Sequence, residues 1–212
     1  MSTLTKFTHS CVRFDDGDRS LVIDPGIFSE VAAALDGSDA VLITHEHPDH
    51  VDVDAVRDAA KANPRLQVWA PPNLAASLDL GDQVVAVAPG ERFQAGGFDV
   101  EVFGGQHGLL HPTVPVVQNN AYLIEGVYHP GDSVIVPTKP VQTLLLPIHA
   151  PWSSTADVID FVVSVRAPKA VQIHDGLLNE RGLFFVEGHV RRIGGEHGVE
   201  YTHADTGSSF GV

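Results

Sequence analysis

Thr44-His45-Glu46-His47-Pro48-Asp49-His50 is the stretch that decides how this chain is read. Four metal-ligand side chains fall within six residues, His45, His47, Asp49 and His50, directly after the apolar run 40–43. That run reads as a short buried strand. Imidazole and carboxylate groups suit a borderline-soft divalent ion such as zinc. A tight turn at the strand end can point His45 and His47 one way and Asp49 and His50 another, so one stretch could serve two ions. The chain has 12 histidines in 212 residues, so a single histidine says little, but the ordered H-x-H-x-D-H string is hard to reach by chance.

Composition sets the frame around that string. A chain of 212 residues, 43% hydrophobic and 19% charged, suits one soluble domain, 1–212, with a sizeable core. Its 20 Gly and 14 Pro are scattered, as turn punctuation between many short elements would be. The formal net charge of −14 disfavours nucleic acid and anionic membranes as non-specific partners. An anionic substrate stays possible, because bound dications would dominate the field inside a pocket. Cys11 stands alone and fits a reducing compartment. The first residues lack a basic stretch followed by an apolar one, and no apolar run approaches membrane-spanning length, so a cytoplasmic location is expected.

Along the chain, residues 3–24 predict two or three strands and residues 29–36 a short helix. Strand 39–43 carries the histidine string and helix 51–62 follows it, stopped by Asn63-Pro64. Strand 66–69 and helix 72–78 come next. Strands are then expected at 83–88, 92–95, 98–103, 114–117, 121–125 and 127–129, separated by glycines. Strand 143–146, helix 156–165 and strand 170–173 lead into a less regular tail, where His189, His197 and His203 read as solvated. Both halves share an outline of strands followed by strand–helix units. That outline suits a four-layer α/β/β/α sandwich with two mixed β-sheets face to face.

A two-metal site needs further isolated ligands at strand ends. His107 follows Phe103-Gly104-Gly105-Gln106, Asp132 lies in His129-Pro130-Gly131-Asp132-Ser133, and His174 ends Val171-Gln172-Ile173. Each alone could be a satisfied turn or strand-end residue. With the histidine string, these segments resemble, in order and across essentially the whole chain, the five motifs of the metallo-β-lactamase superfamily of metal-dependent hydrolases. The small L-ascorbate-6-phosphate lactonase-like branch is the part most resembled.

The resemblance implies that His45, His47 and His107 bind one metal ion, that Asp49, His50 and His174 bind a second, and that Asp132 bridges them. It also implies two divalent ions, Zn2+ first, with Mn2+ or Fe as alternatives. A bridging hydroxide would attack a lactone, phosphodiester or thioester of a small molecule, with Asp49 orienting it and accepting its proton. Relatives often pair, so a homodimer is possible.

Less central residues are expected around this core. His9 would lie near the pocket, and Asp24 in Ile23-Asp24-Pro25-Gly26 would bond backbone or a ligand histidine. His111, four residues after His107, would face the pocket and touch substrate or leaving group. His129 and His149 would support the site or sit buried. Lactonase-like relatives often carry Pro-Ile-Gly-Gly where this chain has Pro147-Ile148-His149-Ala150-Pro151-Trp152, so His149 and Trp152 imply a changed pocket wall. Two other functions compete. A nuclease of the same superfamily would need basic stripes, against 13 Lys and Arg facing 27 acids. A non-catalytic metal binder, or an iron electron-transfer module, would be expected to lack a ligand or to need a flavin partner domain.

Overall fold

The computed structural model describes residues 2–212. Its first half runs β1 (Thr3–Lys6), β2 (Val12–Asp16), β3 (Arg19–Ile23), α1 (Val31–Leu35), β4 (Ala40–Leu42), α2 (Val53–Ala62), β5 (Gln67–Ala70), α3 (Pro72–Leu78) and β6 (Val84–Ala86). The second half runs β7 (Arg92–Ala95), β8 (Phe98–Gly104), β9 (Asn120–Ile124), β10 (Val127–His129), β11 (Thr143–Pro147), α4 (Thr155–Val165), β12 (Lys169–Ile173), α5 (Glu180–Glu196), β13 (Glu200–Thr202) and β14 (Ser209–Gly211).

Two seven-stranded sheets result, ordered β14-β1-β2-β3-β4-β5-β6 and β13-β12-β11-β10-β9-β8-β7. Both are mixed. In the first, the pairings from β14 to β3 are antiparallel and those from β3 to β6 parallel. In the second, β7 to β10 are antiparallel and β10 to β13 parallel. The repeated outline of the halves is thus a repeated sheet plan.

Burial explains why the parallel strands read as unbroken apolar runs. Successive side chains point to opposite faces, and here both faces are covered. In β3, Leu21 and Ile23 join Phe14, Phe98 and Tyr122 between the sheets, while Val22 faces outward into the cluster under α1, α2 and α3. In β11, Leu145 points between the sheets and Leu144 and Leu146 pack under α4 and α5. Four layers follow, as the α/β/β/α reading expects. Asp52 caps α2 through the Ala55 N–H, and Ser154 with Asp157 forms a capping box on α4.

Two segments differ from the sequence expectation. Residues 114–117 form no strand: Pro115 lacks an N–H for a ladder, and the segment is a loop tied back by the His107 N–H to the Val117 carbonyl at 3.1 Å. The tail expected to be less regular contains α5, which holds His189 on its exposed side. Four glycines, Gly182, Gly188, Gly194 and Gly195, lower its intrinsic helix propensity. An Asn179 cap and burial of Val190 against the α4 layer outweigh that. His203 also departs from a free solvated residue, since its Nδ1 bonds the buried Glu187 carboxylate.

The strand directions bring the carboxyl ends of β1, β3 and β4 to one edge of the first sheet, and those of β8, β10, β11 and β12 to one edge of the second. Polar links join the two sheets there. Tyr122 donates its hydroxyl to the Ile43 carbonyl at 2.8 Å, the Asn120 N–H reaches the Thr44 carbonyl at 2.8 Å, and His129 Nε2 donates to the Ser10 carbonyl at 2.9 Å. No helix among the described residues is long and apolar enough to cross a membrane. Phe98→Ala, between the sheets, should cost about 3–5 kcal/mol in denaturant unfolding, whereas Val85→Ala on the exposed face of β6 should stay within about 0.5 kcal/mol.

Candidate metal centre

At the shared edge the chain converges on a cluster of imidazoles and carboxylates. Ligand atoms of His45, His47 and His107 lie within 4.8 Å of one another, as do those of His45, His50 and Asp132, and those of His9, Asp49, His50 and His174. His45, His50 and Asp132 thus link a group on one side to a group on the other. The seven residues expected as ligands from the sequence all meet here, although their strands lie in two different sheets.

Hydrogen-bond partners settle how the rings are turned. His50 donates Nδ1–H to Asp24 at 2.6 Å, His174 donates Nδ1–H to the His149 carbonyl at 2.6 Å, and His107 donates Nδ1–H to the Gly108 carbonyl at 2.7 Å. The Thr44 hydroxyl gives its only proton to Asp24 at 2.7 Å, so it accepts from His45 Nδ1–H at 2.9 Å. In all four rings the outward nitrogen carries a proton and Nε2 faces inward, the arrangement that outer partners impose on ligating histidines.

His45 Nε2 meets His47 Nδ1 at 3.1 Å, but the other three inward nitrogens lack partners. Five buried side-chain N or O atoms among the described residues have no hydrogen bond, and four are Nε2 of His50, His107 and His174 and Oδ1 of Asp132. Nε2 of His50 and of His174 each lie 3.1 Å from Asp132 Oδ1, off hydrogen-bond geometry. With the singly protonated rings that metal ligation requires, these would be lone pairs facing lone pairs. Each unsatisfied group costs about 1–3 kcal/mol, and a cation among them would remove that cost. The nitrogen and oxygen donor set fits zinc, manganese or iron.

Electrostatics registers the same demand. Burial works to raise the Asp132 carboxyl, but the imidazoles of His50, His107 and His174 outweigh it and hold it well below the usual carboxylate range. In the metal-free protein, burial opposes charge on His50, yet Asp132 and Asp24 on its two sides raise its pKa well above the imidazole range, so a proton on Nε2 supplies the positive charge that a bound cation would displace. Burial keeps His45 and His47 lowered, hence neutral and able to ligate.

The surrounding residues divide by what they touch. His9 accepts the Gly176 N–H on Nδ1 at 3.2 Å, so its Nε2–H donates to Asp49 at 3.2 Å. Burial raises the Asp49 carboxyl, and that hydrogen bond with the nearby His50 brings it down to about 2. Asp24 accepts from the Thr44 N–H at 2.7 Å as well as from the hydroxyl and from His50. His9, Asp24 and His174 hold left-handed backbone, with φ of 66°, 51° and 57°, a strain that clusters at functional sites. His149 contributes through its carbonyl; its half-buried ring makes no hydrogen bond to the cluster, and burial lowers its pKa. His111 departs from expectation: exposed, it turns to the Thr113 hydroxyl at 2.7 Å and does not line the cavity.

Sequence reading did not find Thr44, whose hydroxyl looks like any threonine until Asp24 is placed beside it. It also gave Trp152 no partner, yet the indole Nε1–H donates to Asp132 Oδ2 at 2.7 Å and the ring lies so close to Gly108 that a Cβ there would sit 2.3 Å from it. Gly26 is equally constrained, since its Cβ would come 1.9 Å from the Asp49 carbonyl oxygen. A cavity of about 180 Å³ opens over the cluster, reaching His47, Asp49, His107, Asp132 and His174.

The family model for the beta-lactamase superfamily domain matches residues 3–174. The chain belongs to the metallo-β-lactamase superfamily. Within it, the chain is similar to Protein Rv0786c of Mycobacterium tuberculosis, 35% identical over 190 residues, covering 86% of this chain and 89% of that one. It is similar also to a UPF0173 metal-dependent hydrolase of Xanthobacter autotrophicus, 32% identical over 167 residues, covering 70% and 68%. Among solved structures, Igni18, a metallo hydrolase from Ignicoccus hospitalis, superposes with a TM-score of 0.75 at 18% identity, covering 100% and 99% of the two chains. That likeness supports the superfamily's sandwich fold.

Thr44→Val keeps the shape and removes the hydroxyl relay between Asp24 and His45. It should lower affinity for a divalent ion about 10–100-fold in competition with a chromophoric chelator. Unchanged affinity would show that His45 does not depend on that relay.

Proposed function

We propose that this chain is a hydrolase that holds two divalent metal ions, Zn2+ first and Mn2+ or Fe as alternatives, and cleaves an ester-type centre in a small molecule: a lactone, phosphodiester or thioester. His45, His47 and His107 would hold one ion and Asp49, His50 and His174 the other, with Asp132 between them. All 212 residues form one domain in this reading; β14 closing onto β1 across the chain's ends supports it. The observation that carries the proposal is the set of inward imidazole nitrogens left without partners around Asp132.

Bound ions would polarise the substrate oxygen and make water nucleophilic near neutral pH. The chain's own side chains supply the rest. Asp49, ionised at neutral pH and steadied by His9 Nε2–H, is placed to orient water and accept its proton. Trp152 Nε1–H occupies one Asp132 oxygen and so leaves Oδ1 to face the imidazoles. His174, tied to the His149 carbonyl, keeps its ring from rotating.

The nuclease alternative draws no support from charge, since 13 basic residues face 27 acidic ones. A non-catalytic metal binder is disfavoured by a donor set with no missing member. Elemental analysis tests the proposal. Wild type should carry about two equivalents of Zn, Mn or Fe per chain, and Asp132→Ala should lose most of it. A panel of lactones, bis-aryl phosphodiesters and thioesters then ranks the substrate classes. Protein that takes up no transition metal even on reconstitution would overturn the reading.

A further inference from the structure

We infer that the substrate presents to this site an uncharged, apolar group about the size of a benzene ring or a short acyl chain; the inference rests on the hydrolase reading above. It comes from the cavity's walls, whose chemistry differs from that of its floor. The floor is the histidine and aspartate cluster. Among the described residues, none that lines the cavity is a lysine or arginine. The walls are instead Leu110, Val114, Val116, Trp152 and Leu177, with prolines between them.

Four of these wall residues are large aliphatic side chains that the fold leaves in water, Leu110 at 51%, Val114 at 42%, Val116 at 44% and Leu177 at 47% exposed. Exposed apolar side chains are common singly, but several rimming one concave site mark a ligand groove. Three of the four come from the loop between β8 and β9. That loop is fixed at its base, with the Gly105 N–H on the Asn119 carbonyl at 2.8 Å and the Gly108 N–H on the Asp132 carbonyl at 2.7 Å. The apolar wall is therefore attached directly to the segment that carries His107.

Charge decides what such a wall accepts. An anionic group laid against these side chains would meet no counter-ion, and whatever hydration it gave up there would go uncompensated. Lys6, buried near His9, is already committed to Asp175 at 3.1 Å and to the Phe7 carbonyl at 2.7 Å. The net charge of −14 adds a field that repels anions wherever bound ions do not dominate it. Size is consistent with a small group, since the cavity of about 180 Å³ is shared with the space over the floor and an apolar space of about 150 Å³ already admits benzene. The scissile bond would lie on the floor and the apolar remainder against the wall.

The test keeps the reacting centre constant and changes only the remote group. Zinc-loaded protein is assayed with para-nitrophenyl hexanoate and with mono-para-nitrophenyl adipate, which ends the same acyl chain in a carboxylate. The hexanoate should be favoured at least about tenfold in kcat/KM. Lengthening the acyl group from acetyl to hexanoyl should raise kcat/KM about two- to fourfold per methylene until the cavity fills. Leu110→Lys and Val116→Lys, which place a cation on the wall, should each narrow the hexanoate preference. Equal turnover of both esters, or preference for the adipate, overturns the inference. If neither ester is cleaved above the metal-free control, the hydrolase reading is decided separately by the lactone, phosphodiester and thioester panel, and the wall is read by calorimetry with N-phenylhexanamide and its terminal-carboxylate analogue. Tighter binding of the uncharged amide, reduced by Leu110→Lys, supports the apolar wall; no preference sinks it.

Discussion

The buried carboxylate of Asp24 is the contact on which the rest of the site is built. It sits where β3 ends, in left-handed backbone, and reaches across to the end of β4. There it accepts the Thr44 N–H and hydroxyl and the His50 Nδ1–H. Through Thr44 it also fixes the ring of His45, so one side chain turns two imidazoles. A carboxylate with no exposed surface is tolerable only when so fully bonded. The same pairing holds the two central parallel strands in register at their functional ends. Gly26 then lets the chain after Asp24 run directly against the Asp49–His50 peptide, where any side chain would collide.

What these supports produce is an arrangement a metal-free protein has little reason to build. Imidazole nitrogens from both sheets are directed at one carboxylate oxygen without hydrogen-bond geometry between them. Left-handed backbone at His9 and His174 adds strain at the same place. Inter-sheet links from Tyr122, Asn120 and His129, together with a core filled from both sheets, over-determine the geometry and hold the strain. Stability stored in the sandwich is spent at its edge. Membership of a superfamily of metal-dependent hydrolases accords with that distribution.

The walls above the cluster belong to a different layer of specification. Trp152 lies where the strand-to-helix connection after β11 passes over Asp132, and it fills the space that Gly108 leaves by lacking a Cβ. The β8–β9 loop supplies aliphatic side chains that contribute nothing to the core. The aliphatic side chains of the wall can therefore vary without disturbing the floor, with loops changing the group accepted while the strand ends keep the same donors.

Much of this was legible in the sequence because ligand spacing and strand ends are local. The H-x-H-x-D-H string, the isolated His107, Asp132 and His174, and the apolar runs that both-face burial requires are set by neighbours a few residues apart, as is the Asp24 motif after β3. The helix at 180–196 was not legible, because its four glycines argue locally against a helix and only packing against the α4 layer stabilises it. The strand expected at 114–117 failed for the complementary reason: its apolar residues look buried in sequence but stand at a cavity mouth. His111 was expected to face the pocket and His149 to support the site or sit buried, and only the backbone path turned one ring outward and left the other to act through its carbonyl. By itself the sequence determined which donors exist and that they end strands. The tertiary structure decided which nitrogen of each ring faces inward, that Thr44 and Trp152 belong to the site, and that its walls are uncharged, since each depends on atoms brought together from distant parts of the chain.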